Sequence, residues 1–547
     1  MRQGEINGLM ASSMMVRPLL LANILDYAAI AFGYQMVVSC DDDGPLARMS
    51  FKSLRDRCLK VSGALGANFQ VGPGERVATL AWTNRRHLEL YFAIPGLGAV
   101  IHTINPRYSD EQIVMIINHA RDRILFVDPD QEERVRRLAA QCPTVEEIRV
   151  LDASWDAVVD AAVPLPEWPQ FPETSGSSMC YTSGTAGAPK GVIYSHRSTI
   201  LYALSGLATG KLGLNSRASS LMCVPMYHVN GWSKPFQAML SGAKIVLPGR
   251  KMDGESLLKI IDAEDVTCGF GVPTIWLAVV EAMRKQGRGP GTLSQIGFGG
   301  GAVPRSLLAA LRDEFGVEVE TGYGMTETTA GLALGSDGPD FWAADSDDQL
   351  DLLSRQRPIF GIELRSRDEA GRDVPFDGAS SGELQVRGNF VINAYFDNAE
   401  ADAAAFTPDG WFRTGDAVSQ DEMGRLRVED RLKDLIKSGG EWINSVALEQ
   451  AACGDARVAE AAVIGLPHPK WSERPLMIIR PTDALTVDEA SIADFLRGRV
   501  QSWWQPDAIV FVDDIPKTAT GKTDKKALRL MFAGWHYGEC GTLCRSE

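Results

Sequence analysis

Up to about residue 355, short apolar and β-branched runs alternate with longer stretches whose apolar positions follow a helical period. Examples in chain order are RVATLAW (76–82), HLELYFAIPGLGAV (87–100), ARDRILFVD (120–128), KIVLP (244–248) and ESLLKIIDAEDV (255–266). Alternation of strand and helix is typical of parallel sheets covered by helices, because a helix is the usual connection between parallel strands. We therefore predict an α/β protein whose large N-terminal domain consists of helix-covered mixed sheets.

The pattern changes between about residues 355 and 430, where short strands and turns replace the helical periods. IELRS, SGELQVRG and GRLRVEDR alternate with the turn segments DEAGRD and TPDG, which predicts a smaller and mainly antiparallel β-rich subdomain. After Asp430 the signals are mixed, and VAEAAVIGLP, EASIADFLRGRV and AIVFVDDIP predict a compact α+β region. We place the N-terminal domain at 1–430, with its β-rich subdomain at about 355–430, and the C-terminal domain at 431–547.

Composition and charge narrow the classes of function. The chain has 547 residues, 45% of them hydrophobic and 23% charged, and at roughly 150 residues per domain this predicts several folded units. The formal net charge of −15 argues against a general nucleic-acid-binding protein and against a protein that binds anionic membranes, because both need a basic surface. Any polyanionic ligand must therefore be bound by a few local groups.

Two further features bear on the cellular compartment. The apolar stretch near the N-terminus is interrupted by Arg17 and Asp26 and is not followed by a cleavage-site pattern. It therefore predicts an amphipathic helix rather than a signal peptide or a membrane span. The nine cysteines are scattered and form no CxxC pair near histidines, which predicts reduced thiols. We expect a cytoplasmic protein without stable membrane insertion.

The stretch YTSGTAGAPKG (181–191) combines three serine or threonine hydroxyls, three glycines and one lysine. Glycine N–H groups can converge on an anion, hydroxyls add donors and Lys190 adds charge, as in phosphate-binding loops. The spacing G-x-x-G-x-x-K differs from the Walker A pattern and therefore excludes a P-loop NTPase. On composition alone, a solvated flexible loop is an equally good interpretation. Ser195, placed to cap a helix that starts near His196, favours an ordered turn.

Five segments, in order along the chain, resemble the signature motifs of the adenylate-forming (AMP-binding) superfamily. They are YTSGTAGAPKGV (181–192), TGYGMTET (321–328), GWFRTGD (410–416), DRLKDLIKSGGEWI (430–443) and PKTATGK (516–522). The resemblance covers nearly the whole chain. It is closest to medium- and long-chain fatty-acyl-CoA ligases and methylmercaptopropionate-CoA-ligase-like enzymes, which have segments similar to PMYHVNGW and SGGEWI. The resemblance implies an acid–thiol ligase that joins a carboxylate to the α-phosphate of ATP, releases pyrophosphate, and then transfers the acyl group to CoA with release of AMP.

The resemblance assigns the nucleotide contacts residue by residue. The implied cofactor-binding set is Thr182, Ser183, Gly184, Thr185, Lys190, Gly301, Ala302, Gly322, Tyr323, Gly324, Met325, Thr326, Asp416 and Arg431. Within it, the glycine- and hydroxyl-rich turn holds the phosphates of ATP, Tyr323 stacks on adenine, and Asp416 accepts the ribose hydroxyls. Thr185 and Glu327 are the implied Mg²⁺ ligands, and oxygen ligands suit that hard cation.

The same resemblance implies a moving catalytic domain. The implied catalytic residues are Lys522, Lys437, Glu327 and His228, and the hinge is Lys433. Lys522 would reach the α-phosphate and the carboxylate from a small, mobile C-terminal lid. Lys437, Gly439, Gly440 and Trp442 would lie on the opposite face of that lid, for thioester formation with CoA. As a plain alternative, DRLKD is a charged and solvated linker, and both interpretations can hold together.

The acyl site is the part that the motifs describe least. By resemblance, His228 and Trp232 lie near the acyl carboxylate and at the mouth of a tunnel, although a packed core histidine is an equally good interpretation of His228. Gly299 and Gly300 would leave space for the acyl group to pass. We expect apolar walls, formed by 272–280 and 297–301, and a hydrophobic carboxylic acid, fatty or aryl-alkanoic, as substrate. A homodimer is compatible with the resemblance.

Two other functions fit parts of the sequence. Gly297, Gly299 and Ala302 satisfy G-x-G-x-x-G/A ahead of a helical run, and Glu318 follows about twenty residues later, which is the fingerprint of an NAD-dependent oxidoreductase. Pro304 and the extra glycines beside it are unexplained by that function. The third function is a non-catalytic adenylate-binding relative. Such proteins typically lose the late lysine or the acidic residue of the TGYGMTET-like block, and this chain keeps both.

Overall fold

The computed structural model describes residues 12–40, 46–182, 189–335, 338–439, 441–482, 487–518, 521–538 and 542–545. The strands in these ranges are β1 Met36–Ser39, β2 Ala47–Ser50, β3 Arg76–Leu80, β4 Val100–Thr103, β5 Ile124–Val127, β6 Glu147–Val150, β7 Gly176–Tyr181, β8 Gly191–Ser195, β9 Ser219–Met222, β10 Lys244–Leu247, β11 Cys268–Gly271, β12 Gln295–Phe298, β13 Glu318–Tyr323, β14 Ala333–Leu334, β15 Arg357–Pro358, β16 Ile362–Arg367, β17 Ser381–Gly388, β18 Phe412–Gln420, β19 Leu426–Arg431, β20 Ile436–Ser438, β21 Glu441–Ile443, β22 Val458–His468, β23 Ser472–Pro481, β24 Ala508–Phe511, β25 Trp535–Tyr537 and β26 Leu543–Arg545. The helices are Leu21–Ala31, Phe51–Phe69, Arg85–Gly96, Asp110–Ala120, Glu132–Ala139, Ala153–Ala161, His196–Ala208, Lys234–Ser241, Gly254–Ala263, Pro273–Gln286, Arg305–Ala309, Pro339–Ala343, Ser346–Leu352, Ala399–Ala405, Ser445–Ala452, Glu489–Leu496 and Lys525–Met531. The chain therefore has the α/β architecture that the hydrophobic pattern predicts.

The first sheet contains the strands between residues 76 and 195. Its order is β6-β5-β3-β4-β7-β8, and every neighbouring pair is parallel except β7 and β8, which are antiparallel. RVATLAW and ARDRILFVD supply β3 and β5, as predicted. Helix Arg85–Gly96 is buried from His87 onwards, and its side chains belong to the largest hydrophobic cluster. At the edge of this sheet, β7 and β8 hold the two ends of the glycine- and hydroxyl-rich turn.

The second sheet runs in the order β15-β14-β13-β12-β11-β9-β10-β1-β2. Its central strands from β13 to β1 are parallel, and antiparallel strands lie at both edges. Because parallel strands present their C-terminal ends at one edge, the loops that follow β11, β12 and β13 open on the same side. In open α/β sheets, ligands bind at this side.

Two local predictions are confirmed. The Ser195 hydroxyl accepts the N–H of Ser198 at 3.0 Å and caps the helix His196–Ala208. The N-terminal apolar stretch forms the helix Leu21–Ala31, which packs its apolar side into the core. Within the described ranges, no helix is both long enough and apolar enough to cross a membrane.

The β-rich segment predicted at about 355–430 forms a four-stranded antiparallel sheet, β16-β17-β18-β19. A further sheet follows in the order β21-β20-β23-β22, with β24 parallel to β23, and three helices pack on it. Two hydrophobic clusters consist only of residues from Ile436 onwards. The boundary at residue 430 stays a prediction, and separate clusters of this kind are what a separate domain requires.

Candidate active site

A cavity of about 1010 Å³ lies where the loops after β12 and β13 meet the β18–β19 hairpin and the segment around Lys522. Most residues implied by the motifs line it: Thr182, Lys190, His228, Trp232, Gly299, Gly300, Gly301, Ala302, Gly322, Tyr323, Gly324, Met325, Thr326, Glu327, Asp416, Arg431, Lys433 and Lys522. Ser183, Gly184, Thr185 and Gly440 lie outside the residues that the structure describes. Motifs that are far apart in the sequence thus share one cavity.

The two ends of the glycine- and hydroxyl-rich turn are bonded to each other. The Thr182 N–H donates to the Lys190 carbonyl at 2.9 Å, and the Lys190 N–H donates to Thr182 Oγ1 at 3.2 Å. The Lys190 ammonium lies 4.7 Å from the centre of the Tyr395 ring. The Tyr395 hydroxyl donates in turn to Glu327 Oε1 at 2.7 Å. Tyr395 therefore connects the lysine of the turn to the buried carboxylate across the cavity.

Tyr395 is a site residue that the sequence analysis missed. It lies in the segment VINAYFDN, outside the five motifs, and the pair of adjacent aromatic residues between Asn393 and Asp397 was the only signal in the sequence. Its position depends on β17 and β18, because the loop between these strands returns to the first sheet, where the Phe396 N–H donates to the Gly191 carbonyl at 2.9 Å. Only the folded chain brings Tyr395 to Glu327.

The TGYGMTET segment is fixed by close backbone packing. A Cβ atom at Gly324 would lie 1.8 Å from the Ala330 carbonyl oxygen, so only glycine fits there. The Tyr194 hydroxyl donates to the Thr326 carbonyl at 2.8 Å, and the Ile392 N–H donates to the Glu327 carbonyl at 2.9 Å. These contacts hold the Glu327 carboxylate in a defined place on the cavity wall.

Tyr323, Asp416 and Arg431 form a connected polar group on one wall. Asp416 and Arg431 are direct partners on β18 and β19, and Arg431 Nε lies 2.8 Å from Asp416 Oδ1. The Tyr323 hydroxyl donates to Asp416 Oδ2. Burial raises the pKa of Asp416, and the charge of Arg431 opposes this rise. Because each carboxylate oxygen has two lone pairs, Asp416 keeps the capacity to accept hydroxyl donors from a ligand.

Lys522 belongs to a short turn of the C-terminal region. The Thr518 N–H donates to the Lys522 carbonyl at 2.7 Å, and the Lys522 N–H donates to Thr518 Oγ1 at 3.2 Å. The Lys522 side chain is solvent-accessible yet lies along the glycine loop after β12, because a Cβ atom at Gly300 would be 3.7 Å from Lys522 Cε. The surrounding protein and the charge of Arg431 lower the pKa of Lys522 to about 8. A lysine of the C-terminal region is thus placed among the nucleotide motifs.

The residues after His228 form a left-handed turn. Positive φ angles occur at Val229 (45°), Asn230 (53°), Gly231 (58°), Trp232 (52°) and Ser233 (55°). For residues other than glycine, this conformation costs roughly 1–2 kcal/mol each. Buried hydrogen bonds stabilise it, since Asn230 Nδ2 donates to Ser178 Oγ at 2.7 Å and the Ser233 N–H donates to the Asn230 carbonyl at 3.0 Å. Strained backbone persists mainly at functional sites. The Asn-Gly pair was the only sequence signal of this turn.

His228 and Trp232 line both the main cavity and a second cavity of about 300 Å³. The second cavity is also lined by Arg107 and Thr274 from the N-terminal part of the chain and by Gly521 next to Lys522. Burial, together with the charge of Lys522, lowers the pKa of His228 to about 3. The imidazole is therefore neutral near pH 7 and can serve as a hydrogen-bond donor rather than as a charged group.

The Trp232 indole packs against Gly299 and Gly300, which follow β12. A Cβ atom at Gly299 would lie 2.9 Å from Trp232 Cη2, and one at Gly300 would lie 3.4 Å from Trp232 Cζ2. The indole lies beside both glycines, which also line the main cavity, and the passage for the acyl group stays a prediction. Outside the walls expected at 272–280 and 297–301, the cavity is also lined by two buried polar side chains, those of Lys234 and Gln237.

Lys437, Gly439 and Trp442 lie on a different surface. Lys437 and Trp442 are cross-strand partners in the β20–β21 hairpin, and the Lys437 ammonium lies 5.3 Å from the centre of the Trp442 ring. Gly439 has a φ of +62°, and a Cβ atom there would lie 2.7 Å from the Trp471 ring. None of these three residues is among the described residues that line the main cavity. The first part of this motif lines the cavity, and its second part forms an outer surface.

Comparison with known proteins agrees with this arrangement. The family model of the AMP-binding enzymes matches residues 28–396, and that of the AMP-binding enzyme C-terminal domain matches residues 447–522. A long-chain-fatty-acid–CoA ligase of Thermus thermophilus is 41% identical, covering 98% of this chain and 100% of its own length. A 3-methylmercaptopropionyl-CoA ligase of Ruegeria lacuscaerulensis is 40% identical, covering 96% of this chain and 99% of its own. The crystal structure of the anthranilate CoA ligase AuaEII in complex with anthranoyl-AMP has the same fold, with a TM-score of 0.84, 24% identity, and coverage of 94% of this chain and 98% of that one.

Proposed function

The chain belongs to the AMP-binding enzyme family, and from that premise we propose how its residues carry out the reaction. It is an ATP-dependent, AMP-forming acid–thiol ligase. In the first half-reaction a carboxylate oxygen attacks the α-phosphorus of ATP, the bond from that phosphorus to pyrophosphate breaks, and an acyl-adenylate forms. In the second half-reaction the sulfur of CoA bonds to the acyl carbon, the thiol loses its proton, and AMP departs with the former carboxylate oxygen.

The observation that carries this proposal is the single cavity that joins the nucleotide motifs to Lys522. Asp416 would accept the ribose hydroxyls, and Tyr323 would lie against adenine, with Gly301 and Ala302 on the other side. Lys190, next to the turn, would pair with the phosphates. These roles require an ionised acceptor, a flat apolar face and a cation, and each of the residues offers the group that its role needs.

Lys522 would act on the first half-reaction. Negative charge develops on the oxygens around the α-phosphorus while the carboxylate attacks, and a cation placed beforehand stabilises that charge. Lys522 lies beside Gly300 and close enough to Asp416 and Glu327 for their charges to interact, and its charge also helps to lower the pKa of His228. The neutral His228 imidazole would orient the carboxylate of the acid by donating an N–H.

Glu327 is suited to be a ligand of Mg²⁺. It is a buried carboxylate on the cavity wall, and the Tyr395 hydroxyl orients its Oε1 atom. Among the described residues, no group of three or more His, Cys, Asp or Glu side chains is arranged to hold a metal. Mg²⁺ is commonly bound by one or two protein oxygens together with substrate phosphates. Glu327 and Thr185 would hold the ion, which neutralises phosphate charge when it is bound.

The second half-reaction would use the other face of the C-terminal region. Rotation about Lys433 would withdraw Lys522 and present Lys437, Gly439 and Trp442 to CoA. The position of the β20–β21 hairpin outside the main cavity supports such an alternation, because the hairpin and Lys522 occupy different places in one conformation. Enzymes of several kinds use domain rotation to build two active geometries from one chain.

The acid in this proposal is a hydrophobic carboxylic acid, and the cytoplasm is the site of the reaction. Apolar residues such as Leu212, Phe270 and Phe298 line the main cavity and support an apolar acyl group. The described cysteines are all free, which suits a reducing compartment. The proposal includes a homodimer on the basis of the resemblance alone, and equilibrium sedimentation would measure the oligomeric state.

A pyrophosphate-release screen tests the proposal. Purified enzyme is given ATP, Mg²⁺ and a panel of alkanoic and aryl-alkanoic acids, with and without CoA. We expect acid-dependent pyrophosphate release that turns over repeatedly only when CoA is present, with one AMP and one acyl-CoA formed per pyrophosphate. Failure to form AMP with any acid would refute the proposal. Oxidation of added NADH would favour the oxidoreductase, and tight ATP binding without turnover would favour a non-catalytic protein.

A further inference from the structure

The inner end of the main cavity contains a buried cation. Lys234 begins the helix Lys234–Ser241, only 5% of its surface is exposed, and it lines the cavity together with Gln237, which is fully buried. Phe270 and Gly297 line the same end from within β11 and β12. Of the nucleotide motifs, Gly301 and Ala302 follow the C-terminal end of β12, and Tyr323 is the last residue of β13. Lys234 therefore lies on the side of the cavity away from the nucleotide.

The contacts of Lys234 leave part of its hydrogen-bonding capacity unused. Its ammonium donates to Gln237 Oε1 at 2.8 Å and lies 4.4 Å from the centre of the Phe270 ring. In the part of the chain that the structure describes, no carboxylate forms an ion pair with it. Buried charges in proteins are normally paired, and an ammonium group has three N–H donors. Burial lowers the pKa of Lys234 to about 7, as expected for a cation without a counter-charge.

The protein is shaped around the two partners of Lys234. A Cβ atom at Gly206 would lie 2.4 Å from Gln237 Nε2, and a Cβ atom at Gly297 would lie 2.5 Å from the Phe270 ring. Larger residues at these two positions would displace the amide or the ring. Leu212 and Phe298 also line the cavity, and so does Glu320 on β13, which is paired in register with Gly297. Lys234 is thus a buried cation beside apolar side chains, and a few placed polar groups in a mostly apolar pocket usually determine ligand specificity.

We propose that the acyl cavity takes a carboxylic acid that carries a second oxygen acceptor, a carbonyl or a carboxylate, towards its far end, and that Lys234 donates a hydrogen bond to that acceptor. The inference rests on the proposed ligase function and refines its substrate class. A plain alkyl chain would displace water from Lys234 and give it no partner in return, which costs free energy. An acid with a distal oxygen acceptor satisfies the ammonium group and gains affinity.

Matched acids of equal chain length test the proposal. Octanoate, 7-oxooctanoate and octanedioate are compared by kcat/KM in pyrophosphate release, and 3-phenylpropanoate and 3-(4-carboxyphenyl)propanoate form an aromatic pair. We expect the wild-type enzyme to prefer an oxygenated acid over its plain partner by roughly tenfold or more, the scale of a hydrogen bond to a charged group. Preference for octanedioate alone identifies a distal carboxylate, and preference for both oxygenated acids identifies a carbonyl acceptor.

Variants at Lys234 make the test specific. Lys234→Met keeps the length of the side chain and removes its charge, so kcat/KM for the oxygenated acid should fall roughly tenfold or more, while that for the plain acid should be unchanged or rise. Lys234→Arg should retain part of the preference. Lys259→Met, at an exposed lysine of the helix Gly254–Ala263, is the control and should change neither value. Thermal unfolding of each variant shows whether it is folded.

Two failures can be told apart. If plain acids are ligated well and Lys234→Met leaves the ratio of kcat/KM values unchanged, Lys234 has only a structural role and the inference is wrong while the ligase function stands. If none of the acids yields AMP with the wild-type enzyme, the ligase function is refuted and the inference with it. A folded Lys234→Met variant whose activity on all acids falls by the same factor also contradicts a role in recognition.

Discussion

The half of the cavity that we assign to the nucleotide and the end that we assign to the acyl group are built in different ways. In the nucleotide half, polar side chains are bonded to one another, as Tyr323, Asp416 and Arg431 show. At the acyl end, a left-handed backbone turn at 229–233 sets the shape, and Lys234 supplies one buried cation. Paired polar groups hold charge at fixed positions, which suits a reaction in which charge develops at phosphorus. Shape and one polar contact suit the selection of a mainly apolar acid with one distal oxygen acceptor.

The prediction with the largest expected effect concerns the substitution of Lys522. Lys522→Ala should lower the rate of acyl-adenylate formation by roughly two or more orders of magnitude, the scale for losing one charge-stabilising group. Conversion of a supplied acyl-adenylate to the thioester should stay close to the wild-type rate, because that step would use the other face of the C-terminal region. Rapid-quench measurement of the two half-reactions separates these effects. Lys259→Ala is the control, and an equal loss in both half-reactions would show that Lys522 is not confined to the first.

The next test is directed at the nucleotide half alone. Asp416→Asn removes the charge that pairs with Arg431 and weakens an acceptor for the ribose, so kcat/KM for ATP should fall about 10–100-fold, as for the loss of one charged hydrogen bond. Tyr323→Phe keeps the ring and removes only the hydroxyl, so its effect should be smaller. In both variants the KM for the acid should hold steady. A matching rise in that KM would mean that the two regions of the cavity are not independent.

The pH dependence gives a third test. Because the pKa of Lys522 is lowered to about 8 and its protonated form is the one that stabilises charge, kcat/KM for adenylation should decline as the pH rises through about 8. The decline should approach about tenfold per pH unit above that value. Lys522→Arg stays protonated throughout this range and should lose the decline. A wild-type profile that is flat up to pH 9.5 would contradict the assignment, whereas His228, with a pKa of about 3, should add no step between pH 5 and 7.

The sequence identified the residues that line the half of the cavity assigned to the nucleotide far better than those that line the end around Lys234. Residues such as Asp416 lie in contiguous motifs whose chemistry is visible in one short segment. Tyr395 and Lys234 could not be predicted, because their roles arise from burial and from partners more than thirty positions away, Glu327 and Phe270. In the sequence, Lys234 before a proline looks like an ordinary surface residue at a helix start.

In the architecture, too, some features could be predicted from the sequence and others could not. The periodicity of apolar residues predicted strands and helices, and it predicted the change to antiparallel strands near residue 355. The order of the second sheet could not be predicted, because β1, near the N-terminus, pairs with β10 some two hundred residues later. Periodicity reports local burial, whereas the partners of a strand depend on the whole chain. For the same reason the left-handed turn could not be predicted, because its stability depends on the buried contact of Asn230 with Ser178 on β7.

The smallest expected effect tests whether that turn serves the acyl end. Gly231 has a φ of +58°, and a Cβ atom there would meet only ordinary contacts at 3.6 Å and beyond. Gly231→Ala should therefore cost about 1–2 kcal/mol from the backbone alone, and Gly287→Ala, at a glycine with a φ of +62° and open space around it, should cost about the same. Both variants should lose similar thermal stability. Only Gly231→Ala should raise the KM for the acid, by a few-fold, because only Gly231 lies between His228 and Trp232. Equal acid KM values in the two variants would assign the turn to stability rather than to substrate binding.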